Sequence, residues 1–200
     1  MRTFIEIAAV SALTVLCAPL ASAQNGDTAG PPVLAKTLLP AKMSAKLSVT
    51  SPALRSGAML DEQYTQNGAN KSPRLEWSKG PAGTVSYVVL AVDSSVNRPE
   101  PIVHWIVFNI PPAKRELSSG LPNSATLADG SEQGKNIGGN IGYIGPKPPA
   151  GQTHSYHFQV FALNTKLDIE PEKANRDALI GAMKNRVLAS GDMVANYTGK

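Results

Sequence analysis

Five apolar runs rich in β-branched and aromatic residues, each bounded by glycine, proline, asparagine or serine, restrict what this chain can fold into. They are KLSVTS, VSYVVLAV (85–92), IVHWIVFNI (102–110), HSYHFQVFAL (154–163) and the closing RVLASGDMVANYTG. Between them lie SPALRSG, NGANKSP, KGPAG, NRPEP, IPPAKR and the glycine-proline tract GGNIGYIGPKPPAG. Short strands punctuated in this way predict a mainly β fold, a sandwich with long functional loops. One helix is expected, over about Ala174 to Lys184, where Ala178, Leu179, Ala182 and Met183 form an apolar face. No internal repeat is visible.

The first residues follow a different logic. MRTFIEIAAVSALTVLCAPLASAQ carries Arg2, an apolar stretch from about Ile7 to Leu20, and Ala21-Ser22-Ala23, the small-residue pattern of a signal-peptide cleavage site. Residues 1–23 are therefore read as a signal peptide, removed after Ala23, and the protein as periplasmic or secreted. Leu16 stands where a lipoprotein signal needs a small residue, which argues against a lipid anchor on Cys17. Cys17, the only cysteine, leaves with the signal, so no disulfide or thiol chemistry is expected, and an exported chain of this kind suits a bacterial envelope. Arg2 and Glu6 leave together and the formal charge stays at +4, spread without a Lys/Arg run; this disfavours nucleic acid and mildly favours anionic partners. Residues 24–45, rich in Gly, Pro and Ala, read as a flexible arm or linker, and 46–200 as one domain.

Strand alternation singles out polar residues on apolar faces. In IVHWIVFNI the even positions place His104 with Ile102, Ile106, Phe108 and Ile110. In the same way His154 and Tyr156 share a face with Phe158 and Val160, His157 takes the other face, and Asp93 ends the face of Tyr87, Val89 and Ala91. Taken singly, each has a simple structural role: a hydrogen-bonded core histidine, a turn-capping aspartate, a core tyrosine. Convergence at one rim would make them a site.

Spacing does not establish that convergence, but a family resemblance implies it. HWIVFNIPP, followed some forty residues later by GYIGPKPPAGQTHSYHFQVFAL, resembles the phosphatidylethanolamine-binding protein family in its bacterial branch of Raf-kinase-inhibitor-like proteins. NKSPRLEW and NRVLASGDMVANYTG extend the likeness from about Leu47 to Gly199. The resemblance implies two antiparallel sheets with a small surface cavity that accepts phosphate or a phospholipid headgroup. Its cavity elements fall on Asp93, His104, Pro148, Pro149, His154 and Tyr156. Imidazoles and a phenol supply donors to a phosphate, a carboxylate fixes an imidazole tautomer, and the Pro148-Pro149 wall with glycines 138, 139, 142, 145 and 151 permits close backbone approach. The sequence departs from the family where D-P-D-x-P becomes Asp93-Ser94-Ser95-Val96-Asn97, where Ile102 replaces an aromatic, and where Ser155 replaces an arginine. Headgroup preference therefore does not transfer.

The expected function is an exported, non-catalytic binding protein for a small anionic or phosphorylated ligand, without metal or cofactor. The family also suggests a homodimer. The alternatives are an interaction module, such as an inhibitor of an envelope protease or signalling protein, and a hydrolase or metal site built on His104 and Asp93. Against the last stand the absence of G-x-S-x-G and H-E-x-x-H motifs. No GK[ST] follows the glycines, so a P-loop is excluded.

Overall fold

The computed structural model describes residues 30–200; residues 1–23, expected to be a signal peptide, and Cys17 within them lie outside the described residues. In chain order the elements are α1 (Ala35–Leu38), β1 (Val49–Thr50), a 3-10 turn at Glu62–Tyr64, β2 (Leu75–Trp77), β3 (Ser86–Asp93), β4 (Ile102–Ile110), β5 (Glu116–Leu117) and β6 (Glu132–Gln133). There follow β7 (Thr153–Leu163), a second 3-10 turn at Pro171–Lys173, α2 (Arg176–Met183) and β8 (Val187–Thr198). They form two sheets, β1-β2-β5 and β6-β4-β3-β7-β8, with every strand pair antiparallel.

The central strand β3 is buried along its whole length, because both faces of the larger sheet are covered. On one face Tyr87, Val89, Ala91, Trp105, Phe158 and Val160 meet the smaller sheet, where Trp77 packs edge-on to Tyr87 at 5.6 Å. On the other, Val88, Leu90, Ile106, Phe108 and Phe161 pack against Leu179 and Met183 of α2. Ala35 and Leu39, within the segment read as an arm, belong to this second cluster, and Lys36 pairs with Asp192 of β8. Helix α2 starts two residues later than expected, because Asn175 caps it by accepting from the Ala178 N–H. Its buried stripe is Arg176, Leu179 and Met183, with Ala178 and Ala182 only half-buried.

Strand β4 does not keep the simple alternation its sequence predicts. Its pairing with β3 slips between Ala91↔Trp105 and Val92↔Val103, leaving His104 as the extra residue of a β-bulge. A second slip lies between Val89↔Val107 and Tyr87↔Ile110, at Asn109, whose φ is 54°. Ile106 and Phe108 therefore face α2, whereas His104, Trp105, Val107 and Ile110 face the smaller sheet. The expected grouping of His104 with Ile106 and Phe108 is corrected accordingly, while Ile102 and Ile110 do share its side, because each bulge turns the strand by one residue and the second undoes the first.

Asn109 holds the second bulge with its side chain. Its Oδ1 accepts from Leu167 N–H at 2.7 Å and its Nδ2 donates to Leu167 O at 2.9 Å, so the amide stands in for a missing strand partner. Asn109→Ala leaves both groups unpaired in the interior and keeps a left-handed backbone without asparagine's tolerance for it. A loss of ~2–4 kcal/mol is expected in denaturant unfolding, with little change in the slope of the transition.

Candidate functional site

The bulge at His104 sets the site. Asp93 ends β3 and is the register partner of Tyr156 on β7, with His154 two residues away on the same face. The extra residue in β4 turns His104 toward that face, where its ring lies edge-on to Tyr156 at 5.2 Å between centroids. The loop 143–149 closes the far side with Lys147, Pro148 and Pro149. All six residues singled out from the sequence, Asp93, His104, Pro148, Pro149, His154 and Tyr156, thus line one cavity of about 350 Å3. His157, on the opposite face, pairs with Asp192 at 2.9 Å and takes no part.

Sequence reasoning missed Gln66, Val96, Ile137 and Lys147 in the same wall. Lys147 was legible in principle, lying inside the GPKPP motif, but a lone lysine in a proline-rich loop gives no signal of its direction. Gln66 comes from a distant loop and reaches the site because its Nε2 donates to Gly145 O at 2.7 Å. The same two loops are joined by Tyr143 Oη donating to Tyr64 O at 2.6 Å and by Gly145 N–H donating to Asn70 Oδ1 at 2.7 Å. Gly145 is required there because a Cβ would collide with the Tyr64 carbonyl.

The hydrogen bonds fix the ring orientations. Asp93 Oδ2 is 2.6 Å from His154 Nδ1, and the carboxylate's other oxygen accepts from Ser95 N–H at 2.8 Å. Ser95 Oγ in turn accepts from Ser155 N–H at 2.8 Å, and Ser94 N–H donates to Ser155 O at 3.1 Å. The positions where this chain departs from the D-P-D-x-P pattern therefore compensate one another. Serines 94, 95 and 155 lace the end of β3 to β7 and steady Asp93.

His104 Nδ1 lies 2.7 Å from Ile144 O and donates to it, which leaves Nε2 as a lone pair in the neutral ring. Burial holds the His104 pKa below its ordinary value of 6.5, against the opposing pull of the Ile144 carbonyl and of Asp93. Burial, followed by the neighbouring Asp93 charge, pushes the Tyr156 phenol well above its usual range, so it remains an O–H donor. The cavity thus offers one lysine ammonium, one phenol, two oriented imidazoles and a single carboxylate.

A histidine buried in its neutral form ties stability to pH. The folded pKa is lowered, so His104 costs nothing above the unfolded value of 6.5 and destabilises as the pH falls through it, where the unfolded chain takes up the proton first. His104→Gln should flatten this part of the stability-pH curve in thermal unfolding; an unchanged curve would mean that His104 is not the group responsible.

Three comparisons bear on this geometry. Residues 50–198 match the sequence profile of the family described as phosphatidylethanolamine-binding protein. A UPF0098 protein of Methanothermobacter thermautotrophicus is 36% identical over 152 residues, covering 76% of this chain and 98% of its own. The UPF0098 protein YbhB of Escherichia coli is 34% identical over 159 residues, covering 76% and 100%. Among solved structures, that of E. coli YbcL, described as a new member of the mammalian PEBP family, superposes with a TM-score of 0.72 at 30% identity, covering 78% of this chain and all of YbcL. With this profile match, these relatives and a fold of two antiparallel sheets, the chain belongs to the phosphatidylethanolamine-binding protein family.

Proposed function

We propose that the protein is an exported, non-catalytic binding protein whose His104 cavity takes a phosphate-type group, free or as a phospholipid headgroup. The observation that carries this reading is the meeting of His104, the Asp93–His154 pair, Tyr156 and Lys147 around one small cavity. Tyr156 and Lys147 are donors at neutral pH, and a phosphate oxygen has partners there without a metal. Among the described residues no serine, threonine or cysteine lines the cavity, so the commonest hydroxyl and thiol nucleophiles are missing from it. The N-terminal sequence supports export with cleavage after Ala23.

The charge state makes the reading specific. A neutral His104 presents a lone pair that repels a dianionic oxygen, so a bound phosphate must bring a proton as P–OH or the ring must gain one. Both routes have the same stoichiometry: the complex holds one more proton than the free partners at mildly alkaline pH. The groups facing His104 are Asp93, His154, Tyr156 and Lys147, and the anion adds to Asp93 in drawing a proton onto the ring.

Calorimetric titration of the purified protein with inorganic phosphate and phosphoethanolamine tests the reading. Binding is expected in the wild type and a loss of at least about tenfold in His104→Ala with the fold intact. Unchanged binding in the variant would remove the site assignment. Repeating the titration in buffers of different ionisation enthalpy should show proton uptake, with affinity rising as pH falls from about 8 to about 6. Proton release, or uptake that persists in His104→Gln, would contradict the proposed charge state.

A further inference from the structure

A second cavity, of about 320 Å3, opens beside the first and shares Ile137 with it. The two lie on either side of the same strand end: Ile102 lines the first, and the next residue, Val103, lines the second. Ile137 is held at the boundary by its N–H, which donates to Val103 O at 2.8 Å, and its side chain is half exposed at 51%. The second cavity carries Arg98, Lys135 and Arg176 against Glu100 and Asp177.

These cations are poorly matched. Among the described residues, neither Arg98 nor Lys135 has a carboxylate within ion-pair distance. The Arg176 side chain is only 9% exposed, yet its carboxylate neighbours are Asp177 at 3.4 Å and Glu100 at 3.9 Å, both largely in solvent. Its Nη2 donates to Val33 O at 2.8 Å, while its Nε is buried with no acceptor among the described residues. Three cations thus meet two carboxylates around this cavity, with Arg98 Nε donating only to the Glu100 backbone carbonyl at 3.0 Å, and an anionic group would offset the surplus positive charge. The helix N-terminus at Asn175 contributes little, since the Asn175 side chain already caps it.

We propose that the two cavities form one bipartite site for a ligand with two anionic groups, one phosphate-type group in the His104 cavity and a second group among Arg98, Lys135 and Arg176, with an apolar spacer crossing Ile137. This rests on the phosphate reading of the first cavity and adds the ligand's chemical class: a bis-anionic molecule such as a phosphorylated lipid headgroup bearing a second acid, or a soluble bisphosphate.

The test is titration at constant ionic strength with α,ω-alkanediol bisphosphates from propane to octane, with methyl phosphate in parallel. One chain length is expected to bind at least about tenfold more tightly than methyl phosphate, because the second group binds at a high effective concentration. Lys135→Ala and Arg98→Ala should abolish that gain and leave methyl phosphate binding unchanged, which also reports that these surface variants are folded. No gain at any length, with methyl phosphate still bound, would overturn the bipartite site and leave the first reading standing. A gain that survives both substitutions would also overturn it, by showing that the second group docks elsewhere. Failure of methyl phosphate and every bisphosphate to bind would overturn both readings. If the bipartite site holds, vesicles with and without anionic lipid, compared with the soluble headgroup analogues, separate membrane-borne from free ligands.

Discussion

One extra residue in β4 decides the character of this molecule. A nine-residue strand, Ile102–Ile110, buried on both faces would ordinarily send alternate side chains to opposite layers, and His104 would then point with Ile106 and Phe108 toward α2. The bulge places His104 and Trp105 on the same side instead. Trp105 fills the core, with its Nε1–H donating to Gln133 Oε1 at 2.8 Å, and His104 becomes the cavity wall facing Tyr156. Packing and site are thus set by the same backbone irregularity, which costs a ladder hydrogen bond and gains an inward polar side chain.

The surroundings are arranged to keep that irregularity in place. Ile144 N–H donates to His104 O at 3.0 Å, and the Ile144 carbonyl accepts from the imidazole, so one residue of the 143–149 loop clasps both the backbone and the ring of His104. The loop is tied by Tyr143 and Gly145 to the segment around Tyr64 to Asn70. Its other end meets Gly199, where Pro148 and Pro149 carbonyls approach so closely that a side chain would not fit. The cavity therefore stands on rigid elements from three parts of the chain, an arrangement suited to recognition by preformed geometry.

Much of this was legible in the sequence, for identifiable reasons. The long strands β3, β4, β7 and β8 are marked by dense β-branched and aromatic runs, and four of the site's polar residues, Asp93, His104, His154 and Tyr156, interrupt such runs. Asp93, His154 and Tyr156 obey parity because β3 and β7 pair without a slip from Ser86↔Leu163 to Asp93↔Tyr156. His104 obeys it only with Ile102, which lines the same cavity; its break with Ile106 and Phe108 was not legible, since a bulge depends on the partner strand and leaves no local signature. The two-residue strands β5 and β6 were equally hidden, being too short to show a period. Lys147 and Gln66 escaped because loop direction is set by tertiary hydrogen bonds. Conversely, the departures at Ser94, Ser95 and Ser155 told in sequence only that headgroup preference does not transfer, whereas in the fold these serines connect the end of β3 to β7 by hydrogen bonding.

The central claim is that the lone pair of His104 faces an anion site and there either gains a proton or accepts a hydrogen bond from a P–OH group. Nitrogen-15 NMR of the histidine rings during titration with inorganic phosphate at mildly alkaline pH tests it directly. The account predicts that His104 Nε2 moves from the resonance of a free lone pair toward that of a protonated or hydrogen-bonded nitrogen, while His157, held by Asp192 on the opposite face of the sheet, stays unchanged. Phosphate bound with no change at His104, or a response at His157 in its place, would contradict it.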